Sequence, residues 1–344
     1  MSSALGRITL HPGGFRAERR YDDDMRVPDY VLKCVGFVGA VEHRDTTKVY
    51  GDLYGTGFFV SVASRDDRFI HVYFVTAKHV AEELKDVPVY FLVNHVIQGT
   101  KVLSGIGDRW FAHPTDSTAD LAVTPVGMDS QADFMSINVR DFVTPGTILK
   151  GDVWVGDEVF VTGLFTPAPG KRQNMPLVRH GNVAMLPKDQ IQTNLGYADV
   201  YLIESRSIGG LSGSPAFVRP TIRTYVREIE FGKDVEMLGV SAPYKLLGLM
   251  HGHWDIKESE INNPKVVHVK QHGVNLGIAI VVPAIKIIET LNRPELEQMR
   301  NAKDDTLTKK HAPGMDSAKP KESTLTKEDF ETALKKASRK VSDK

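Results

Sequence analysis

Between Val31 and Val282 the chain alternates short runs of Val, Ile, Phe and Tyr with clusters of Gly, Asp and Arg. The runs at Val31–Val41, Gly57–Val62, His71–Val75, Val87–Val96, Leu121–Val126, Glu158–Leu164, Val200–Glu204, Ala216–Val218, Leu246–His251 and Gly277–Val282 carry strand signals. Many short strands at fairly even spacing, with few long helical patterns, predict an all-β barrel or sandwich. Two stretches read as helices instead. One follows His79, over Val80–Leu84; the other runs from Pro283 to Leu291, with Ile285, Ile288 and Leu291 on one face and proline at its start.

The flanks have a different texture. Residues 1–30 form an arm of breakers and mixed charge, with His11-Pro12-Gly13-Gly14 and then Arg19-Arg20-Tyr21-Asp22-Asp23-Asp24. Residues 294–344 form a polar tail containing Pro313-Gly314 and Lys319-Pro320. Such a composition buries too little apolar surface to offset the entropy of ordering, so a disordered tail is expected. Within it, Thr326–Lys340 has the spacing of a short helix, with Phe330, Leu334 and Ala337 on one side.

Charge and composition narrow the function classes. Lys plus Arg and Asp plus Glu are both 43, and the net charge is zero. That argues against a phosphate-seeking basic surface and against nucleic acid as a partner. At 41% hydrophobic and 25% charged residues, the 344-residue chain can bury a real core. Its single cysteine, Cys34, excludes an internal disulfide and any multi-thiolate metal site, and sits where a small core residue belongs. The longest apolar stretches, Val35–Val41 and Leu276–Ile285, are too short to span a bilayer, so no membrane partner is expected. The opening residues Met1–Arg7 lack the basic and apolar run of a secretory signal. A soluble protein of a reducing compartment, hence cytoplasmic, is the expectation. Gly105-Ile106-Gly107 lacks the remainder of a phosphate-loop fingerprint.

Three stretches carry chemistry when taken together. Thr76-Ala77-Lys78-His79 places a histidine at a strand end, suited to general-base work near neutral pH. Asp120-Leu121-Ala122-Val123 leads a carboxylate into an apolar strand, where it can accept from an imidazole nitrogen and fix the tautomer. Its rival is Asp116, four residues earlier in a looser Pro-Thr-Asp-Ser setting; the apolar strand directly behind Asp120 favours the latter. Gly209-Gly210-Leu211-Ser212-Gly213-Ser214-Pro215 brackets serines with glycines, so the backbone can turn tightly and expose a hydroxyl. The same glycines let the amides of Gly210 and Ser212 converge on one point, as an oxyanion hole requires.

Gly55-Thr56-Gly57-Phe58-Phe59-Val60, Thr76–His79, Asp120–Val123 and Gly210–Pro215 resemble the successive motifs of trypsin-like (chymotrypsin-fold) serine peptidases. The order is His, Asp, Ser, with 41 residues from His79 to Asp120 and 92 from Asp120 to Ser212. Leu247-Gly248-Leu249-Met250 resembles the strand that follows the nucleophile, and Asn275–Ile280 resembles the closing strands of bacterial-type members. A lone Gly-x-Ser-Gly is weak; the ordered set is specific. The resemblance implies two six-stranded antiparallel Greek-key β-barrels followed by a C-terminal helix. The first barrel would occupy residues 31–150 with His79 and Asp120, the second residues 151–293 with Ser212. It selects Ser212 over the neighbouring Ser214 as nucleophile. It also implies a protein or peptide substrate, hydrolysed through an acyl-enzyme with no cofactor.

Two departures qualify it. Leu211 stands where secreted members carry an aspartate that pairs with a newly cut amino terminus, and no activation sequence precedes the first barrel. A trypsin-type zymogen switch is therefore not expected, and the chain resembles the bacterial cytosolic branch. In the family register Arg206 would lie at the base of the substrate pocket, and His251 and His253 near it, one position later than the pocket histidine of Glu- and Gln-cleaving relatives. A donor there would favour acidic or amide side chains. No metal site is expected from the later histidines, because His268 and His272, four apart on a strand, would be separated by about 13 Å. The alternative function is a silent or partner-gated trypsin-fold scaffold, with the tail near Phe330 as a regulatory contact.

Overall fold

The structure is a computed structural model describing residues 27–44, 47–66, 68–104, 109–127, 129–164, 170, 172–205, 211–220, 244–257 and 273–310. The chain divides into two compact units, residues 1–297 and 298–344. Both β lobes belong to the first.

The first lobe opens with a short helix, α1 (Asp29–Lys33), followed by β1 (Val35–Arg44), β2 (Thr47–Ala63), β3 (Ile70–Thr76), α2 (Lys78–Glu83), β4 (Val89–His95), β5 (Thr100–Ser104), β6 (Phe111–Ala112), β7 (Ala122–Pro125), β8 (Ala132–Asp133) and β9 (Ile137–Asn138). Its strands form a nine-stranded sheet in the order β5–β4–β1–β2–β3–β7–β6, with β8 on β4 and β9 on β2. All the pairings are antiparallel except β2 with β9.

From His71 onward every residue of β3 is buried, which is why this strand reads as a continuous apolar run instead of an alternating one. Phe59, Phe74 and Phe91 meet in the centre, with Phe59 and Phe74 edge to face at 5.1 Å. Gly57 makes that packing possible: a Cβ there would fall 2.3 Å from the Phe74 ring. One sequence expectation is corrected at the start of the lobe, because Val31–Lys33 are helical and the strand begins only at Val35. Pro28 precedes the helix, Asp29 sits in its first turn and Lys33 in its last, the polarity that a helix dipole favours.

After α3 (Pro145–Leu149), the second lobe contains β10 (Glu158–Leu164), β11 (Pro176–Met185), the hairpin β12 (Ile191–Thr193) and β13 (Gly196–Ala198), then β14 (Tyr201–Glu204), β15 (Pro215–Arg219), β16 (Lys245–Lys257) and β17 (Gly273–Pro283). Six of these strands close a barrel in the order β10–β11–β14–β17–β16–β15. Three consecutive strands, then a jump to the last and a return, is Greek-key winding. The first lobe follows the same path from β1 through β3 to β7 and β6.

The period-two alternation of β15 assigns its side chains to different cores. Ala216 and Val218 point into the barrel with Val159, Val161, Ile203 and Val281, while Phe217 joins the first-lobe cluster with Leu246 and Leu249. The two lobes thus share one apolar seam.

The seam is extended by α4 (Ala284–Leu291). Its buried residues are Ala284, Ile287, Thr290 and Leu291, with Ile288 packed beside them and Ile285 only half-buried. The apolar stripe is therefore rotated from the predicted Ile285–Ile288–Leu291 face, because β17 runs directly into the helix and sets its phase. A second correction concerns the tail. Pro294–Lys310, expected to lack structure, forms a helix, α5. Proline opens it, Glu295 and Glu297 occupy the first turn, and Leu296 is fully buried, so good helix formers extend from an anchored start. Of the arm expected over residues 1–30, Asp29 and Tyr30 belong to α1, while residues 1–26 and the helix predicted within Thr326–Lys340 lie outside the described residues.

Candidate active site

His79 is the second residue of α2, whose N-cap position is Ala77 with no side-chain cap. Backbone N–H groups at a helix start have no partner within the helix. Asp120 supplies one from across the sheet: its Oδ1 accepts from His79 N at 3.0 Å, and its Oδ2 accepts from His79 Nδ1 at 2.8 Å. The carboxylate therefore holds the histidine by both backbone and ring. Its side chain is 4% exposed, whereas that of His79 is 45% exposed. One edge of the imidazole is fixed in the interior and the rest remains open to solvent.

The loop carrying Asp120 is held by α4. Lys286 Nζ pairs with Asp116 Oδ2 at 2.9 Å and with Asp199 Oδ2 at 3.1 Å. Asp116 Oδ1 accepts from Thr118 N, Thr118 Oγ1 and Ala119 N, closing the turn just before Asp120. His113 Nδ1 accepts from Asp116 N at 2.9 Å, so Nε2 carries the proton and donates to Glu289 Oε2 at 2.7 Å. Arg293 Nη1 donates to Ala112 O at 2.8 Å. The rival aspartate is thus accounted for as the brace of this loop, and it is Asp120 that touches His79.

Ser212 lies in a tight turn between β14 and β15. Gly213 has φ +85°, and a Cβ on it would fall 2.3 Å from Thr56 O and 2.6 Å from Thr76 Oγ1. Only glycine can take that backbone conformation pressed against β2 and β3. Gly213 N donates to Met250 O and Ser214 N to Leu211 O, fixing the turn on β16. Ser212 is partly exposed, but Ser214 is fully buried, its hydroxyl facing Gly163 so closely that a Cβ there would lie 2.3 Å away. Of the two serines, Ser212 alone presents its side chain to solvent.

Its hydroxyl donates to the carbonyl oxygen of His251 at 3.0 Å, and no hydrogen bond joins it to the His79 ring among the described residues. The His251 ring, predicted to line the substrate pocket, is instead turned onto the carboxylate. His251 Nδ1 lies 2.5 Å from Asp120 Oδ2, and His251 Nε2 lies 3.2 Å from Asn194 Oδ1 at the tip of the β12–β13 hairpin. One carboxylate oxygen thus serves two histidines, whose rings stand edge to face with centroids 6.1 Å apart. One ligand atom from each of His79, Asp120 and His251 lies within 4.8 Å of the other two. Neither Asn194 nor the second histidine contact had a signal in the sequence, since the hairpin tip meets β16 from 57 residues away.

The electrostatics follow from this sharing. Burial opposes ionisation of Asp120 and is the largest single effect, but the hydrogen bonds and charges of His251 and His79 outweigh it and hold the carboxyl well below its usual range. Hydrogen bonding to Asp120 raises the pKa of His79 above its ordinary value, against partial burial and with help from Glu83 and Glu82. Cys34 is fully buried and its thiol is pushed up by desolvation, as expected of an inert core residue. Among the remaining predicted site residues, His253 lies on β16 opposite Ala279, while Arg206 and Gly210 are outside the described residues.

No protein-family model matches the chain, and no curated protein does. Among solved structures, it is similar to the MamO protease domain from Magnetospirillum magneticum (apo form) at 16% identity and a TM-score of 0.44, over 77% of this chain and 98% of that one. It is also similar to Deg5 at 13% identity and a TM-score of 0.40, over 76% of this chain and 88% of that one.

Proposed function

We propose that the protein is a serine endopeptidase in which Ser212 is the nucleophile, His79 the general base and Asp120 the residue that orients and charges His79. The observation that carries this reading is the two-point grip of a buried carboxylate on His79, on the same lobe against which the Ser212–Gly213 turn is packed. With Nδ1–H donated to Asp120, the neutral His79 ring keeps its lone pair on Nε2, the tautomer a general base requires. Ser212 Oγ bonds to the scissile carbonyl carbon while its proton passes to His79 Nε2. The carbonyl oxygen takes the negative charge, held by the amides of Gly210 and Ser212. The C–N bond then breaks as His79 returns the proton to the leaving amine, and water repeats the sequence to release the acid.

For this chemistry the Ser212 hydroxyl has to leave the His251 carbonyl, a rotation about one side-chain bond between staggered wells. That same contact supports the second reading, a trypsin-fold module whose site is assembled only when a partner binds.

Labelling of the full chain by a fluorophosphonate separates the two. Labelling that disappears in Ser212→Ala and His79→Ala is the expected result. Absence of labelling in correctly folded, metal-free wild-type protein overturns the peptidase reading and leaves the gated module.

A further inference from the structure

We propose that His79, Asp120 and His251 form a binding site for a zinc-type divalent transition-metal ion, and that the bound ion switches off the nucleophilic chemistry. The binding itself is independent of the peptidase reading; its consequence for activity rests on that reading.

The donor set is two imidazoles and one carboxylate, which suits zinc and its first-row neighbours and not the oxygen-seeking magnesium or calcium. The two imidazole Nδ1 atoms lie 2.8 Å and 2.5 Å from the same carboxylate oxygen. Bond lengths of about 2.0–2.2 Å to zinc put neighbouring donors of a tetrahedral site about 3.4 Å apart. Opening each contact by less than about 1 Å makes room for the ion, with a fourth position left over.

The surroundings are those of a ligand set. His251 Nε2 faces Asn194 Oδ1 and can donate to it, the kind of outer contact that orients a metal-bound histidine. His251 Nδ1 meets the same Asp120 oxygen as His79 Nδ1, so an ion seated there would find two imidazole nitrogens and a carboxylate oxygen around it. Asp120 is fixed by accepting from His79 N through its other oxygen. The ligands come from α2, the loop before β7, and β16, so the ion would join the two lobes at the site. Short-range sequence spacing does not reveal such a set.

The effect on chemistry follows from the tautomer. When Nδ1 of the neutral His79 ring binds the ion, the ring's one proton moves from Nδ1 to Nε2. A metallated ring with Nε2–H can donate but cannot take the proton of Ser212. The same ion occupies the Asp120 oxygen that would stabilise the imidazolium. Loss of general base and loss of orientation therefore arise from one binding event.

Cobalt(II) titration of the metal-free full chain tests the site directly, since four-coordinate cobalt absorbs strongly in the visible. The expected result is saturation at one ion per chain, displacement of cobalt by zinc, loss of the signal in His251→Gln and in His79→Gln, and retention in Ser212→Ala. Asn194→Ala, which removes only the outer contact, should weaken binding by about 10–100-fold. Circular dichroism and melting of each variant verify that it is folded. No saturable absorption in the wild type, or an unchanged titration in folded His251→Gln, overturns the site. Fluorophosphonate labelling then tests the consequence: zinc should suppress it in the wild type and a chelator restore it. Labelling that persists at saturating zinc overturns the switch, whereas a metal-free wild type that never labels overturns the peptidase reading and leaves the cobalt result standing.

Discussion

Replacing Asp120 by asparagine is the most demanding test of the site, because the new amide fits the volume but not the hydrogen bonds. The carboxylate accepts three: from His79 N at 3.0 Å on Oδ1, and from His79 Nδ1 at 2.8 Å and His251 Nδ1 at 2.5 Å on Oδ2. Asparagine offers one oxygen and one NH2. If the NH2 takes the Oδ1 position, it opposes the His79 backbone N–H, donor against donor, and uncaps α2. If it takes the Oδ2 position, it donates to imidazole Nδ1 and forces the His79 proton onto Nε2, where the base needs its lone pair. The second arrangement keeps the fold and costs the chemistry. In serine triads the wrong tautomer is worth about 10⁴ in rate, or roughly 5–6 kcal/mol at about 1.36 kcal/mol per factor of ten.

Stability should change less. Bonds to a charged group contribute about 1.5–3 kcal/mol each, but the variant also avoids desolvating a buried carboxylate, so a net loss of about 1–3 kcal/mol is expected. The assay is the second-order rate of fluorophosphonate labelling in metal-free buffer, with urea unfolding run in parallel. A folded Asp120→Asn chain that labels within about tenfold of wild type would refute the assignment of Asp120 as the orienting residue.

Three further outcomes are expected. Gly213→Ala should lose about 2–4 kcal/mol in urea unfolding, because a left-handed residue would gain a Cβ within 2.3 Å of Thr56 O; a change under about 0.5 kcal/mol, the range of an ordinary surface substitution, contradicts the turn geometry. The acid limb of kcat/KM in metal-free buffer should lie above the ordinary histidine value, since Asp120 raises the pKa of His79 and the base works only when deprotonated; a limb at or below that value counts against His79 as the base. Asp116 is held at about 2: burial pushes its pKa up, but the bonds from Thr118 and Lys286 outweigh this. Its stabilising contribution is present above the usual carboxylate range and is lost as pH falls through about 2. Asp116→Asn should therefore melt below wild type at pH 6, with the difference closing by pH 2, and should keep its labelling rate within a few-fold; a gap that persists at pH 2 removes the linkage.

Much of the fold was legible because the barrel strands repeat the same physical demand. The runs at His71–Val75, Glu158–Leu164, Ala216–Val218 and Gly277–Val282 fall within observed strands, since only Val, Ile, Phe and their like fill a pleated, buried surface. The strand β11 leaves no such signal: over Pro176–Met185 it is mostly half-buried or exposed and carries Arg179, His180 and Asn182, so burial imposes little pattern on it. The two-residue strands β6, β8 and β9 are too short to hold any period. In the tail, weak apolar content points to an unstructured segment, yet helix propensity together with the buried anchor of Leu296 in the first turn builds α5.

The same division runs through the site. The order of His79, Asp120 and Ser212, and the glycines around the serine, are properties of the sequence, because backbone turns and strand ends demand particular residues locally. Which aspartate meets the histidine, and which serine is exposed, were decided by packing: Lys286 and Thr118 occupy Asp116, and Gly163 covers Ser214. The attachment of His251 to Asp120 belongs to the tertiary structure alone. Hydrogen bonds act over about 3 Å whatever the sequence separation, and the lobes bring these two residues together across 131 positions.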